Sequence, residues 1–225
     1  MEPKTVRDAL LLVLAACGGA LDAVCYLRLH AFSANMTGNT VLFGLSLGGE
    51  QLPLAPPLVA LAGFALGSFF GTLLAREASE SDPWPAQTAQ AFALEVVLLV
   101  AYALGWDRLP HGQTRVLALL ALASMGMGVQ TGIAYDIHTP ESTTSPTGTL
   151  ARVFEYAANT LRFGIRGGIA INASTWMLYL AAAAAVGLLG ARAVTLSVVA
   201  WTVVAVVIAV AAAGRPLVLV AARRS

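Results

Sequence analysis

The sequence predicts an all-α integral membrane protein with six transmembrane helices. Apolar residues make up 58% of the 225-residue chain and charged residues only 11%, whereas an ordinary soluble domain carries about 25% charged residues. The mean hydropathy is +0.76, and several apolar runs approach the ~20 residues that cross a bilayer as a helix. We therefore expect a single transmembrane domain over residues 1–225, surrounded by the lipid bilayer.

The predicted spans fall into two sets of three. They cover residues 9–29, 54–75, 87–106, 114–135, 172–191 and 194–213. Residues 136–170 form the longest polar stretch and lie between the fourth and fifth spans. The first half of the domain is expected over about residues 1–106 and the second over about residues 107–213. This division leaves a short C-terminal tail at 214–225.

The distribution of basic residues predicts the orientation of the chain. Placing the N-terminus on one side puts nine Lys and Arg residues on that side and four on the other. Because cytoplasmic loops carry an excess of Lys and Arg, both termini are expected in the cytoplasm of a bacterial inner membrane. The nine are Lys4, Arg7, Arg76, Arg152, Arg162, Arg166, Arg215, Arg223 and Arg224, and the four are Arg28, Arg108, Arg115 and Arg192.

Two Thr-Gly pairs interrupt the apolar pattern at similar points. Residues 35–40 read Asn-Met-Thr-Gly-Asn-Thr after the first span, and residues 145–149 read Ser-Pro-Thr-Gly-Thr after the fourth. Each pair is expected to form a turn that leads into a short helix, at 41–49 and at 150–163. The first helix is apolar and is predicted to be re-entrant. The second carries a polar stripe and is predicted to lie at the membrane interface.

The repeated order of elements predicts a 3+3 inverted repeat. Because each half contains an odd number of spans, the second half is inverted relative to the first, as in many transporters. Asp22 lies 15 residues before Thr37, and Gln130 lies 17 residues before Thr147, so that Asp22 and Gln130 are rough counterparts. The alternative is coincidence, since Thr-Gly pairs are common in loops.

Asp22 and Glu95 are the two acidic residues well inside predicted spans. A charged group near the bilayer centre costs roughly 2.5–3.5 kcal/mol, so such residues usually face a water-filled cavity or a partner. Burial favours the uncharged form of a carboxyl group, which makes both residues candidate proton carriers. The alternative is a structural carboxyl group that is hydrogen-bonded to a neighbouring helix.

The polar groups around the Thr-Gly pairs form a candidate solute site. Glycine permits a positive φ and a close approach of the backbone, and a helix that starts there directs N–H groups and partial positive charge at a ligand. Such a site suits an anion or a polar neutral molecule. The alternative is plain N-capping by Thr37 or Asn39. The candidate substrate-binding residues are Asp22, Thr37, Gly38, Asn39, Gln130, Thr147, Gly148 and Thr149.

Glycines recur at every fourth position in two of the spans. They are Gly63, Gly67 and Gly71 in the second span and Gly128 and Gly132 in the fourth. Such spacing gives a smooth helix face that permits close packing. Packing within the chain is one interpretation, and a homodimer is the other.

Other classes of function find little support in the sequence. The net charge of +1 and the lack of a basic cluster with interleaved aromatic residues argue against nucleic-acid binding. No Cys or His spacing is typical of a metal site, and no Ser/His/Asp set, Walker loop or His-Glu-x-x-His motif occurs. We therefore expect no metal, no cofactor and no enzymatic activity. Asp136 and His138, at one membrane edge, are the remaining candidates for an enzyme.

Four stretches of the chain together resemble a known family. They are residues 20–23 around Asp22, residues 32–40, residues 126–130 and residues 144–150. In this order they resemble the bacterial YoaK family, whose common domain is DUF1275. The resemblance runs along the whole chain and implies a multi-pass inner-membrane protein of unknown function. It implies no substrate and no catalytic residues.

Three functional hypotheses follow. The first is a secondary transporter or channel-like permease for a small solute, which a continuous polar cavity joining Asp22 to both Thr-Gly pairs would favour. The second is a non-transporting membrane scaffold or sensor, favoured by a dry site in which Asp22 is hydrogen-bonded to a neighbour. The third is a membrane-embedded enzyme, which requires a titratable cluster that includes Asp136 or His138.

Overall fold

The computed structural model describes residues 3–75, 88–136, 146–163, 169–189 and 193–222, and it is helical throughout its regular elements. In chain order the helices are α1 (Pro3–Leu29), α2 (Met36–Leu47), α3 (Ala55–Leu74), α4 (Thr88–Arg108), α5 (Gln113–Asp136), α6 (Pro146–Phe163), α7 (Ile169–Leu189) and α8 (Ala193–Ala222). The all-α class predicted from the sequence is therefore confirmed.

Five of these helices, α1, α3, α4, α5 and α7, are long and apolar enough to cross a membrane. The described apolar stretch of α8, Ser197–Ala213, is shorter than these five candidate spans. The six predicted spans correspond to these six helices, with ends that differ by a few residues. The largest difference is at the C-terminus, because α8 continues to Ala222 and residues 214–222 of the predicted tail are helical.

The two short helices begin earlier than the sequence predicts. Because α2 starts at Met36 and α6 at Pro146, each Thr-Gly pair lies in the first turn of a helix, and the expectation of a preceding turn was wrong. Among the described glycines only Gly49 and Gly112 have a positive φ. Gly38 has a packing role instead, since a Cβ atom there would lie 2.9 Å from Cε2 of Phe32.

Glycines bring α3 and α5 into backbone contact. Gly67 lies against the backbone of Met125, and Gly71 lies against Val129, where a Cβ atom would come within 2.7 Å of the Val129 Cα. From α5, Gly128 lies against the backbone of α3 in the same way. Because residue numbers increase together along the contact, α3 and α5 run parallel.

Side-chain contacts fix the direction of the other helices. In α4 and α5, Gly105 packs against Leu119 and Gly126 packs against Leu98 and Leu99, so these two helices are antiparallel. The Cys25 Sγ atom of α1 lies 4.0 Å from the Tyr102 hydroxyl group, and eight residues earlier on α1 Cys17 lies near Glu95. These two contacts make α1 and α4 parallel.

The remaining long helices complete an alternating bundle. Gly19 of α1 lies against Tyr179 of α7, and Val24 packs with Val186, so α1 and α7 are parallel. At the end of α4, Asp107 accepts hydrogen bonds from Ser197 and Trp201 near the start of α8, which makes α4 and α8 antiparallel. Helices α1, α4 and α7 therefore point one way, and α3, α5 and α8 point the other way.

The alternating direction of the long helices determines whether α2 and α6 carry the chain across the bundle. Since α1 and α3 are antiparallel, the chain leaves α1 and enters α3 at the same end of the bundle. With its 12 residues, α2 is about 18 Å long and does not carry the chain across the bundle. The same holds for α6, which lies between the antiparallel helices α5 and α7.

Candidate functional site

Asp22 is the centre of the polar site around α2. It is 3% exposed and lies about 6 Å from the middle of the apolar stretch Arg7–Leu29 of α1. Its Oδ1 atom accepts hydrogen bonds from the Ser33 hydroxyl group at 2.9 Å and from the Ala34 N–H group at 2.6 Å. Asp22 therefore holds the loop that precedes α2 against α1, near the middle of the bundle.

A third donor reaches Asp22 from the second half of the chain. The Tyr179 hydroxyl group of α7 donates a hydrogen bond to Oδ2 of Asp22. An ionised carboxylate only accepts hydrogen bonds, and three donors converging on two oxygen atoms match that state. Asp22 thus links α1, the loop before α2, and α7.

The first turn of α2 is capped by a residue that the sequence analysis did not select. The Asn35 side chain accepts a hydrogen bond from the Gly38 N–H group at 3.0 Å, which is the usual contact of an N-cap residue. The alternative that Thr37 or Asn39 caps this helix is therefore wrong. Both residues lie inside the helix, because α2 starts one residue before Thr37.

Asn39 instead binds the loop that leads into α2. Its Oδ1 atom accepts from the Phe32 N–H group and its Nδ2 atom donates to the Phe32 carbonyl oxygen, both at 2.8 Å. The side chain is fully buried. Because one amide group satisfies both backbone groups of Phe32, Asn39 holds this loop in its folded-back position without any capping role.

The two Thr-Gly segments have the same pattern of exposure. Thr37 is exposed and Asn39, two positions later, is buried; Thr147 is exposed and Thr149 is buried. Gly148 is exposed as well, in the first turn of α6. Each short helix thus presents one threonine at its surface and directs one polar side chain into the protein.

Gln130 does not join Asp22, although the sequence analysis grouped them. Its Nε2 atom donates to the Leu14 carbonyl oxygen of α1 at 3.3 Å. Leu14 precedes Asp22 by eight residues, which is about 12 Å along the helix axis. The two polar residues therefore lie on opposite sides of the middle of α1.

Glu95 lies in α4, close to the middle of the bundle, and is fully buried. Within the described part of the chain, neither of its carboxyl oxygen atoms has a hydrogen-bond partner. Its surroundings differ from those of Asp22, whose two oxygen atoms both accept hydrogen bonds. The two intramembrane acids therefore have different chemical environments.

Several site residues were missed by the sequence analysis. Tyr179 lies in a long apolar run and is 157 residues from Asp22, so no local pattern indicates the contact. Ser33 and Asn35 lie in the polar segment after the first span, where an Asn three residues before a glycine is a recognisable N-cap signal. His138 and Ser145 lie outside the described residues.

The Asn39 contact leads to a direct test. Asn39→Ala is expected to lower the free energy of unfolding by about 2 kcal/mol, because both backbone groups of Phe32 lose their partner in a buried place. The neighbouring change Thr40→Ala is the matched control, since Thr40 is exposed, and it is expected to cost less than about 0.5 kcal/mol. Thermal unfolding in detergent compares the two variants, and equal losses would contradict the role given to Asn39.

The arrangement of the helices defines the class of this protein. It is a multi-pass helical membrane protein with long helices of alternating direction, the 12-residue helix α2 and the 18-residue helix α6. The chain belongs to the family described as "Protein of unknown function (DUF1275)", whose model matches residues 10–213. It is similar to "UPF0700 transmembrane protein YoaK" of Bacillus subtilis (strain 168), with 38% identity over 167 residues, 72% of each chain. No solved structure matches it.

Proposed function

We propose that this chain is a secondary transporter or channel-like permease for a small polar solute. In this proposal six helices span the bacterial inner membrane, both termini are cytoplasmic, and the halves form a 3+3 inverted repeat. The observation that carries the proposal is the position of α2. This half-length helix starts beside the buried Asp22, near the middle of α1, and returns to the end of the bundle where α1 ends. Interrupted helices of this kind form the solute sites of many transporters.

The packing partners of the helices support the inverted repeat. An inverted repeat predicts that each helix of the first half, α1–α4, has a counterpart in the second half, α5–α8. The pair α3–α5 then corresponds to α7–α1, the pair α2–α3 to α6–α7, and the pair α4–α5 to α8–α1. All six of these helix pairs are in contact. The pairs α1–α5 and α4–α8, which correspond to themselves, are in contact too. A two-fold relation between the halves accounts for this pattern, and it makes Asp22 and Gln130 equivalent in position.

The charge at the start of α2 indicates the class of solute. The carboxylate of Asp22 already accepts the Ala34 N–H group just before the helix and complements the partial positive charge of the helix start. A second anion at this place would be repelled by Asp22. We therefore propose a small cation or a neutral hydrogen-bonding molecule, bound beside Asp22 and Thr37. Of the two alternatives that the sequence suggested, an anion and a polar neutral molecule, the anion is set aside.

One observation favours a second candidate function. Both oxygen atoms of Asp22 are bonded within the protein, to Ser33, Ala34 and Tyr179. A carboxylate whose two oxygen atoms both accept hydrogen bonds from the protein fits a non-transporting membrane scaffold or sensor, in which Asp22 only holds the helices together. In the transporter, by contrast, the bond from Tyr179 must open during the cycle to admit the solute.

A thermal-shift screen of the purified protein in detergent separates the two functions. Small cations, polar neutral molecules and anions are tested, because a ligand that binds the folded state raises the melting temperature. At one hundred times its Kd, such a ligand stabilises the folded state by about 2.7 kcal/mol. We expect a cation or neutral molecule to stabilise the wild type and to lose this effect in Thr37→Val. Thr40→Val, on the same exposed face, is the matched control and should keep it.

Each other outcome of the screen has a defined meaning. The absence of any stabilising compound across the panel, with Thr37→Val melting like the wild type, would favour the scaffold or sensor. A stabilising anion that requires Thr37 would contradict the proposed solute class but would still support the proposed transport function.

A further inference from the structure

Glu95 is a buried acid for which the described residues offer no hydrogen-bond partner. It lies three residues, or about 4.5 Å, from the middle of the span Thr88–Arg108. Among the described residues, nothing donates a hydrogen bond to either carboxyl oxygen atom. Buried polar groups are almost always hydrogen-bonded, so Glu95 is an exception that requires an explanation.

A structural role does not explain this residue. Asp22, the other intramembrane acid, ties three segments together through three donors. Glu95 ties nothing together within the described part of the chain, and an unpaired carboxyl group in a dry interior destabilises the fold. An apolar residue would pack better at this position, so stability alone gives no reason for an acid there.

The surroundings of Glu95 restrict what it can bind. On α4 its neighbours are the buried apolar residues Phe92, Leu98 and Leu99, and from α1 the nearby titratable group is the Cys17 thiol. Among the described residues no group of three His, Cys, Asp or Glu side chains could hold a metal ion. Alkali and alkaline-earth cations require several oxygen ligands. A proton requires only one carboxyl oxygen.

Few ionisable residues of the described helices lie near the level of Glu95. On α1 they are the Cys17 thiol and, about 7.5 Å further along the helix axis, Asp22. Neither α3 nor the stretch Ser197–Ala213 of α8 contains an ionisable residue. On α5 the ionisable residues are Arg115 near its start and Tyr135 and Asp136 at its end. On α4 itself the next ionisable side chain is that of Tyr102, two turns away.

We propose that Glu95 is a proton-binding site that couples the movement of the helices to protons. In the packed state described here Glu95 carries the proton on one carboxyl oxygen. When the helices move and expose Glu95 to water, the O–H bond breaks and the proton passes to water, which leaves a carboxylate. Repacking requires a proton from water to be taken up again, because the dry site accepts only the neutral acid. This inference rests on the proposed transport function for its coupling role, whereas the proton site itself does not.

Labelling with dicyclohexylcarbodiimide tests the site without any solute. This apolar reagent adds to a protonated carboxylic acid and rearranges to a stable N-acylurea, so that the protein gains the mass of one reagent molecule. We expect the wild type in detergent to be labelled at Glu95, identified by mass spectrometry of its peptides. Once the acid ionises, its protonated fraction and the labelling rate should fall about tenfold per pH unit.

Two variants provide the controls. Glu95→Gln should lose this label, whereas Asp107→Asn, which removes the exposed acid on the same helix, should keep it at Glu95. Because none of the described residues forms a hydrogen bond with the Glu95 carboxyl group, Glu95→Gln should melt no lower than the wild type. If Glu95→Gln does unfold, the pH profile of the wild type still decides the question.

Two results would overturn the inference. A labelling rate at Glu95 that stays constant through the alkaline range would identify a permanently protonated structural acid. Labelling of Glu95 in denatured protein but never in folded protein would mean that it does not bind a proton reachable through the bundle. A negative solute screen combined with pH-dependent labelling would count against the transport function and would leave the proton site standing.

Discussion

Replacing Gly67 by alanine is expected to lower the free energy of unfolding by about 3 kcal/mol, at the upper end of the usual cost of overpacking a core. A Cβ atom at Gly67 would overlap the Met125 backbone of α5. Backbone atoms cannot rotate away as a flexible side chain can, so α3 and α5 must separate along their whole contact. Thermal unfolding in detergent measures the loss.

The control for this experiment is Gly187→Ala in α7. Gly187 is also helical, but among the described residues no atom outside its chain neighbours and the backbone of its own helix lies within 4 Å of the place that its Cβ atom would occupy. Alanine favours the helix over glycine by about 0.8–1.0 kcal/mol, so this variant should melt at or above the wild-type temperature. If Gly67→Ala is as stable as Gly187→Ala, the two helices are not held together by direct backbone packing.

Replacing Asp22 by alanine is expected to cost about 3 kcal/mol or more, because it leaves the Ser33 hydroxyl group, the Ala34 N–H group and the Tyr179 hydroxyl group without their acceptor. Each buried unsatisfied group costs about 1–3 kcal/mol. The isosteric change Asp22→Asn should cost less, since the amide oxygen atom still accepts while the amide nitrogen faces a donor. Tyr179→Phe removes a single donor and should cost about 1 kcal/mol.

A double-mutant cycle and a thiol probe locate this effect. Asp22→Asn and Tyr179→Phe share one hydrogen bond, so their combined cost should differ from the sum of the single costs by at least about 0.5 kcal/mol. In an Ala34→Cys background, Asp22→Asn should speed the reaction of the new thiol with maleimide, because the loop before α2 is released. Cys17 and Cys25 are buried and contribute little background. Additive costs together with an unchanged thiol rate would contradict the link that we describe.

The glycine spacing allowed the close helix contact to be predicted, although its partner remained open. Glycines at every fourth position line one side of a helix, which marks Gly63, Gly67 and Gly71 as a packing face whatever the fold. The parallel contact of this face with Gly128 of α5 depends on how the chain folds between the two helices. The sequence therefore left the partner open between packing within the chain and a homodimer.

The position of the acids could be predicted, but their environments could not. Hydropathy placed Asp22 and Glu95 inside spans and treated them alike as candidate proton carriers. In the folded chain Asp22 accepts three hydrogen bonds, whereas Glu95 accepts none from the described residues. The difference arises from Tyr179 and from the loop before α2, and neither contact follows from the composition of a single span.

What the sequence by itself determined is the class of the protein, the approximate ends of its long helices and the presence of a shorter helix after the first and after the fourth of them. These features depend on the length of apolar runs and on local propensity, which act on each segment separately. The tertiary structure alone decided that Asn35 caps α2, that Asn39 binds the loop at Phe32, that Tyr179 meets Asp22, and that Gln130 bonds to Leu14, about 12 Å along α1 from Asp22. Each of these depends on which helix faces join and on how far one helix is shifted along another, and such choices are made by packing between segments distant in the chain.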